Sequence, residues 1–226
     1  MAKDRRLVIF GDSAFAEVAF EYFQHDSPYE VVAFAVSREY RKRDTLFDRP
    51  VIDFEEVAAR FPPDRCEMFV ALVYNQLNRV RRRFYDEARA LGYRLASYVS
   101  PRAFVWRNVR MGDNCFVFED NVIQPFVELG SNLILWSGNH IGHHSRLASH
   151  SFFASHVVIS GFVEVGEACF FGVNAAVANN LTIGADCLVG AGALVTRSLP
   201  AGSLVKGRAC TPEEETTWKR FGVPPP

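Results

Sequence analysis

Five of the chain's six histidines, His140, His143, His144, His150 and His156, fall within 17 residues. Imidazole changes charge at about pH 6.5 when unperturbed, so a cluster of this density suggests acid–base or metal-ligand chemistry. A second feature lies near the start. Gly11-Asp12-Ser13-Ala14-Phe15-Ala16 follows an apolar run and opens a helical pattern, a place where backbone N–H groups and the helix dipole can hold phosphate. Only one of the three dinucleotide-fingerprint glycines is present, and Ser37-Arg38 stands where an NAD enzyme would put an acid for the ribose, so NAD is not expected. The basic stretches Arg38, Arg41, Lys42, Arg43 and Arg79, Arg81, Arg82, Arg83 read as solvated faces, with Arg38 the one expected ligand.

The elements that must position these groups fall into two halves. From Leu7 to about Val99, short apolar runs (Leu7–Phe10, Val31–Val36, Met68–Val73, Leu95–Val99) alternate with amphipathic stretches, the pattern of buried parallel strands with crossover helices. Phe15, Val18, Ala19, Tyr22 and Phe23 share one helix face, as do Val80, Phe84, Ala88 and Leu91 before Gly92. A short middle helix is expected after a capping box of Asp53 and Glu56. The order is β-α-β-α-β-α-β, a small open parallel sheet.

Beyond Pro101 a period of six takes over. Cut from Val109, every third place from Met111 to Val195 is apolar in all fifteen blocks, and the next place is Gly, Ala or Ser in eleven of them. Such a repeat describes a triangular β-helix, with one short strand per block and three blocks closing an 18-residue coil. Coils lie about 4.8 Å apart, so residues 18 apart stack. His144, His150 and His156 then face different sides and cannot converge within one chain. Cys115, Cys169 and Cys187 share one phase of the repeat, as packing residues would. Thr211-Pro212-Glu213-Glu214 is read as the cap of a short final helix.

Composition narrows the classes. The 226 residues are 49% apolar and 23% charged, enough for a core without metals or disulfides. With 25 basic and 26 acidic residues the net charge is −1, so nucleic acid and anionic lipid are not expected partners. No apolar run is long enough to span a membrane, and the first residues lack a secretory h-region; the reading is cytoplasmic. Five cysteines without a C-x-x-C pair argue against a disulfide framework or a thiolate zinc site.

On these features, and on Ile141-Gly142-His143-His144-Ser145 followed by Ile159-Ser160-Gly161, the whole chain resembles the hexapeptide-repeat sugar acyltransferases of the sialic acid O-acetyltransferase type and the related N-acetyltransferases of nucleotide-linked amino sugars. The resemblance implies a Rossmann-like nucleotide-sugar domain (1–100), a left-handed β-helix acyltransferase domain (101–207) and a C-terminal helix and tail (208–226). It also implies a homotrimer that binds acetyl-CoA between subunits without a required metal, and a place in polysaccharide biosynthesis. His143 falls on the family's base, and a neutral imidazole there takes a proton as the sugar amine attacks the thioester. Gly161 falls on the N–H donor to the thioester oxygen.

Two positions depart from the family. His144 replaces an acidic neighbour of the base and could orient His143, contact substrate or substitute for it; Trp136 stands where relatives carry Asn. Phe152 replaces a histidine that touches the cofactor in relatives, while Val173 and Ala191 match the pantetheine channel. Gly11, Asp12, Ser13, Ala14, Phe15, Ser37, Arg38, Val73 and Asn75 are assigned to the nucleotide-linked sugar. The expectation is acetyl-CoA-dependent N-acetylation of a nucleotide-linked amino sugar, with O-acetylation the close variant. Zinc carbonic anhydrases share the β-helix but need a histidine roughly 35 residues before a close pair, and residues 104–110 contain none. A non-catalytic nucleotide-sugar sensor is the third reading.

Overall fold

The computed structural model describes residues 3–208 and 215–225. The first unit is a sheet of β1 (Arg5–Phe10), β2 (Tyr29–Val36), β3 (Thr45–Leu46), β4 (Arg49–Asp53) and β5 (Glu67–Val70), in the order β3-β4-β2-β1-β5. All neighbours are parallel except β3 and β4. Leu7, Val8, Ile9 and Phe69 have no exposed surface, because the sheet is covered on both faces. On one face, α2 (Val57–Arg60) and α3 (Arg79–Ala90) pack through Val57, Phe84 and Ala88 onto Val8, Phe10 and Met68. On the other, α1 (Ala14–His25) sets Phe15 and Phe23 against Phe69 and against Phe116, Phe118, Ile134 and Phe152 of the second unit.

Three local expectations need correction, and one strand was missed. The run Leu95–Val99 is not one strand of this sheet: Leu95 bridges Met68, whereas Tyr98–Val99 pairs with Phe116–Val117. The chain changes sheets here because a parallel partner is available 18 residues ahead. Strand β4 was not legible, since Val51-Ile52 is too short an apolar run to signal a strand. The Asp53 carboxylate does not cap a helix; Arg38 and Arg41 hold it at 2.8 and 3.3 Å, which keeps it below the usual carboxylate range. The buried face of α3 is Arg81, Phe84, Tyr85 and Ala88, while Leu91 lies beyond the helix and is exposed.

The second unit is a parallel β-helix of two-residue strands in three sheets. Its first wall runs from Tyr98–Val99 to Leu204–Val205, its second from Phe104–Val105 to Leu194–Val195, and its third from Arg110–Met111 to Thr182–Ile183. Every partner within the second and third walls is 18 residues away. Third-place aliphatics fill the interior, joined by first-place residues such as Val127, Leu133 and Val163. Phe153 and Phe171 stack at 4.8 Å, the strand spacing itself. Cys115 and Cys169 belong to this core, and burial pushes both thiols up to about 12.

A second periodicity emerges. The sixth place has a positive φ in fourteen of the fifteen blocks, at Asn114, Asp120, Phe126, Asn132, Gly138, His144, His150, His156, Phe162, Ala168, Asn174, Asn180, Asp186 and Gly192. The left-handed region favours Gly and, among residues with side chains, Asn, Asp and His. The composition of these corners follows from that preference. The expected cap Thr211-Pro212-Glu213-Glu214 lies outside the described residues; α4 (Thr217–Phe221) is capped by the Thr216 hydroxyl, which accepts from the Lys219 N–H at 3.2 Å.

Candidate active site

The corner between the second and third walls collects the chemistry. Strand His140–Ile141 lies between Val122–Ile123 and Val158–Ile159 and turns at Gly142. A Cβ on Gly142 would sit 2.5 Å from the Gly161 nitrogen, so only glycine lets these turns stack this closely. The His143 N–H donates to Gln124 Oε1 at 2.9 Å, and the His143 carbonyl accepts from the Phe162 N–H at 3.0 Å. The turn is therefore fixed from the coil on either side.

The His143 imidazole is exposed and lies over Gly161: a Cβ built there would meet Cε1 at 2.9 Å and Nε2 at 3.0 Å. Its Nδ1 is 3.2 Å from Nδ1 of His144, which leaves Nε2 open to solvent or substrate. His144 is stacked between Phe126 (4.6 Å, 24°) and Phe162 (4.8 Å, 13°). The Gly161 N–H has no protein acceptor among the described residues. An open imidazole nitrogen beside a free backbone donor is the pair that acyl transfer needs: a proton acceptor and a stabiliser of a developing oxyanion. Gly161→Ala is expected to displace the ring and lower turnover by about tenfold to a hundredfold, with thermal stability unchanged because Gly161 does not have a positive φ. Initial rates and a melting curve on the same preparation check this.

His144, His150 and His156 lie on three different corners, as the repeat demanded. His150 is 6% exposed, its Nδ1 accepts from the Asn132 amide nitrogen at 2.9 Å, and its ring meets Tyr85 edge-on. Burial, aided by Arg82, Arg81 and Arg79, lowers its pKa to about 4. The unfolded chain therefore binds the extra proton over the window from about pH 6.5 down to about 4. Stability from this residue is complete above that window and lost as pH falls through it, by at most about 3 kcal/mol. His150→Asn, which does not titrate and suits the positive φ, is expected to flatten the acid dependence of the melting temperature across this window.

The remaining expected residues are spread over other surfaces. Phe152 is buried in the first wall against Tyr74 and Phe170. Val173 and Ala191 are exposed on the corner between the first and second walls, where the Val173 carbonyl accepts from the Gly192 N–H. One chain does not bring this corner to His143. In the first unit, Gly11, Asp12, Ser13, Ser37 and Asn75 line one cleft of about 420 Å³ together with Tyr40, Gln76 and Arg83. Gly11 has φ +118 and a Cβ there would meet the Ala71 carbonyl oxygen at 2.9 Å. Ala14 is exposed on the first turn of α1; Phe15 is buried against Phe116 and Trp136 instead of lining the cleft. Arg38 is turned to Asp53 and Glu56, and the Val73 carbonyl is taken by Arg81. A neighbouring cleft of about 800 Å³ carries Glu39, Glu55 and Glu87 against Arg38 and Arg83, a balance unsuited to a diphosphate.

Sequence reasoning missed Gln124, Phe126 and Phe162. The signal was present: Phe126 and Phe162 are sixth-place residues where Asn, Asp, His or Gly usually stands. Arg81, read as solvated, has no exposed surface. Among the described residues no group of three or more His, Cys, Asp or Glu could hold a metal ion, and no helix is long and apolar enough to cross a membrane.

No protein-family model and no curated protein sequence matches the chain. Solved structures do. A His-to-Asn variant of perosamine N-acetyltransferase from Caulobacter crescentus, in complex with CoA and GDP-perosamine, is 29% identical over 90% of this chain and 94% of its own, with a TM-score of 0.82. PerB from the same organism, with the same two ligands, matches at 29% identity, 90% and 95% coverage and a TM-score of 0.81. The solved structures similar to this chain thus include a sugar N-acetyltransferase with both of its ligands. The acetyltransferase domain of PglB from Neisseria gonorrhoeae shares the fold at 23% identity, with 90% and 97% coverage and a TM-score of 0.81. The similarity thus spans both the α/β sheet and the β-helix.

Proposed function

We infer that the chain transfers the acetyl group of acetyl-CoA to the amino group of a sugar carried on a nucleoside diphosphate. The observation that carries this reading is the His143 imidazole, with Nε2 open, lying over Gly161 and its free N–H, in a chain whose 29%-identical neighbours are N-acetyltransferases solved with CoA and GDP-perosamine. One of those neighbours was also solved with a single histidine replaced by asparagine or by alanine.

The amine nitrogen attacks the thioester carbonyl carbon, and His143 Nε2 takes the proton that the nitrogen sheds. The carbonyl oxygen gains charge and accepts from the Gly161 N–H. The carbon–sulfur bond then breaks, and the CoA thiolate leaves to be protonated. The substrate's diphosphate binds at the Gly11–Ser13 turn, where N–H groups at the start of α1 favour an anion. Pantetheine runs along Val173 and Ala191. Because these residues stand on a different corner from His143, a second copy supplies them, within a homotrimer of left-handed coils. Residues 1–100, 101–207 and 208–226 serve as the nucleotide-sugar unit, the acyltransferase unit and the tail.

The test is thiol release from acetyl-CoA in the presence of UDP-, dTDP- and GDP-linked amino sugars and their hydroxyl counterparts. Release that depends on an amino sugar, with a stable amide as product, supports the reading. No release with any of them overturns it, and release with the hydroxyl sugars alone replaces N- by O-acetylation.

A further inference from the structure

The geometry points to His144 as the positioning residue of this site: its Nδ1, 3.2 Å from Nδ1 of His143, fixes the tautomer and the orientation of the proton-accepting imidazole. This assignment rests on His143 being the base, and it adds a device that a lone histidine lacks. A neutral imidazole carries one N–H, so two facing Nδ1 atoms make a hydrogen bond only when one holds the hydrogen and the other does not. With the hydrogen on Nδ1 of His143, its Nε2 is bare and faces the space above Gly161. The opposite arrangement puts the hydrogen on Nε2 and removes the acceptor. As a proton arrives at Nε2 the Nδ1–H becomes a stronger donor, and the bond to His144 becomes charge-assisted.

His144 is held still for this task. Its ring is stacked between Phe126 and Phe162, 4.6 and 4.8 Å away and within 24° and 13° of parallel. All three residues have positive φ, at +66, +59 and +56 in coil order, so they form one column along the corner. Both phenylalanines are more than half exposed, at 57% and 51%; their packing serves the imidazole and not the core. Around the pair, Gln124, Phe126 and Phe162 are uncharged, and no carboxylate bonds either imidazole among the described residues. His144 is thus the side chain available to orient His143.

The column also supplies the control. Phenylalanine already occupies this conformation in the coils on either side, so His144→Phe keeps the stack and deletes only the nitrogen. Asn suits the positive φ and retains a hydrogen-bonding group. Nitrogen NMR of isotope-labelled imidazoles in the resting protein should show His143 in wild type as the single Nδ1–H tautomer. His144→Phe should convert it to a form with hydrogen on Nε2, lower kcat by about tenfold to a hundredfold, and leave KM for both substrates within about twofold. His144→Asn should recover most of the lost kcat. An Nε2–H tautomer of His143 in wild type, or full kcat in His144→Phe, overturns the assignment; so does a loss of kcat with the tautomer unchanged. The tautomer is read without turnover, so it separates the two ideas: the expected tautomer with a fully active His143→Ala would sustain the pairing while sinking the base.

Discussion

His143→Ala is expected to slow thiol release from acetyl-CoA by at least about a hundredfold, the lower range for a lost proton acceptor, while the melting temperature stays where it is. The two halves of this expectation have separate grounds. The rate falls because Nε2 of His143 carries no protein partner and lies over Gly161, and the amine must lose a proton to something as it forms the amide. A hundredfold is about 2.7 kcal/mol of barrier. Stability is spared because the imidazole is exposed and buries little: it touches Phe162 edge-on, at 5.1 Å and 87°, and leaves the Phe126–His144–Phe162 stack to stand without it. The turn is held by main-chain groups, with the His143 N–H on Gln124 and its carbonyl on Phe162, and alanine keeps both. Activity within about threefold of wild type would remove His143 from the mechanism.

How much of this was legible in the sequence depends on which place of the repeat is read. The third place is set by burial, and burial is a strong selector: Val117, Ile123, Leu135 and Ile141 have no exposed surface, and the β-helix follows from them. The sixth place is set by backbone conformation, a weaker and less exclusive preference, so its register appears only once the φ angles are seen. That register reinterprets the histidine cluster. His144, His150 and His156 each stand where a corner needs a residue tolerant of positive φ, and His150 is a buried structural group. Density of histidine alone therefore overstated the chemistry, and the proposed reaction uses only the pair at one corner, His143 and His144. The resemblance paired His143 with Gly161, and a separation of 18 is one coil in this fold, so the His143 ring lies over Gly161. It could not show that His144 is clamped by Phe126 and Phe162, because that contact joins three coils through the side chains of turn residues.

Replacing Arg81 by alanine is expected to cost about 3–5 kcal/mol, the effect of leaving two or three buried acceptors without a donor at about 1–3 kcal/mol each, which is a large share of the total stability of a domain. Nothing in an arginine-rich helix start announced this. Arg81 leaves the first turn of α3 and enters the corner between the third and first walls, where none of it is exposed. Its Nε donates to Asn132 Oδ1 at 3.1 Å and its Nη1 to the Val73 carbonyl at 2.9 Å. Nη2 reaches the carbonyls of Asn132, His150 and Ser151 at 3.3, 3.0 and 3.1 Å. None of these acceptors is a carboxylate, so burial lowers the guanidinium pKa to about 9 and the group remains charged at neutral pH. One side chain therefore ties the loop after β5, the helix α3 and two successive coils into one body.

Alanine would leave the carbonyls of Val73, Asn132 and His150 without this donor, whereas the Ser151 carbonyl keeps the Ile134 N–H and Asn132 Oδ1 keeps the Asn114 amide; each orphaned acceptor costs about 1–3 kcal/mol. Lysine keeps the charge but has no planar fork to reach acceptors on both sides, so Arg81→Lys should fall between alanine and wild type. The damage should concentrate in the α/β unit, because its neighbours on this interface, Arg79 with Asp186 and Arg82 with Glu167, are exposed pairs that contribute little. Hydrogen exchange should then show α3 and the Val73–Asn75 loop opening before the β-helix core, and the cleft lined by Ser37 and Asn75 should lose its shape with them. An Arg81→Ala protein as stable as wild type, with α3 still protected, would mean that the aromatic layer and the buried Asn78 and Asn114 amides hold the two units together without it.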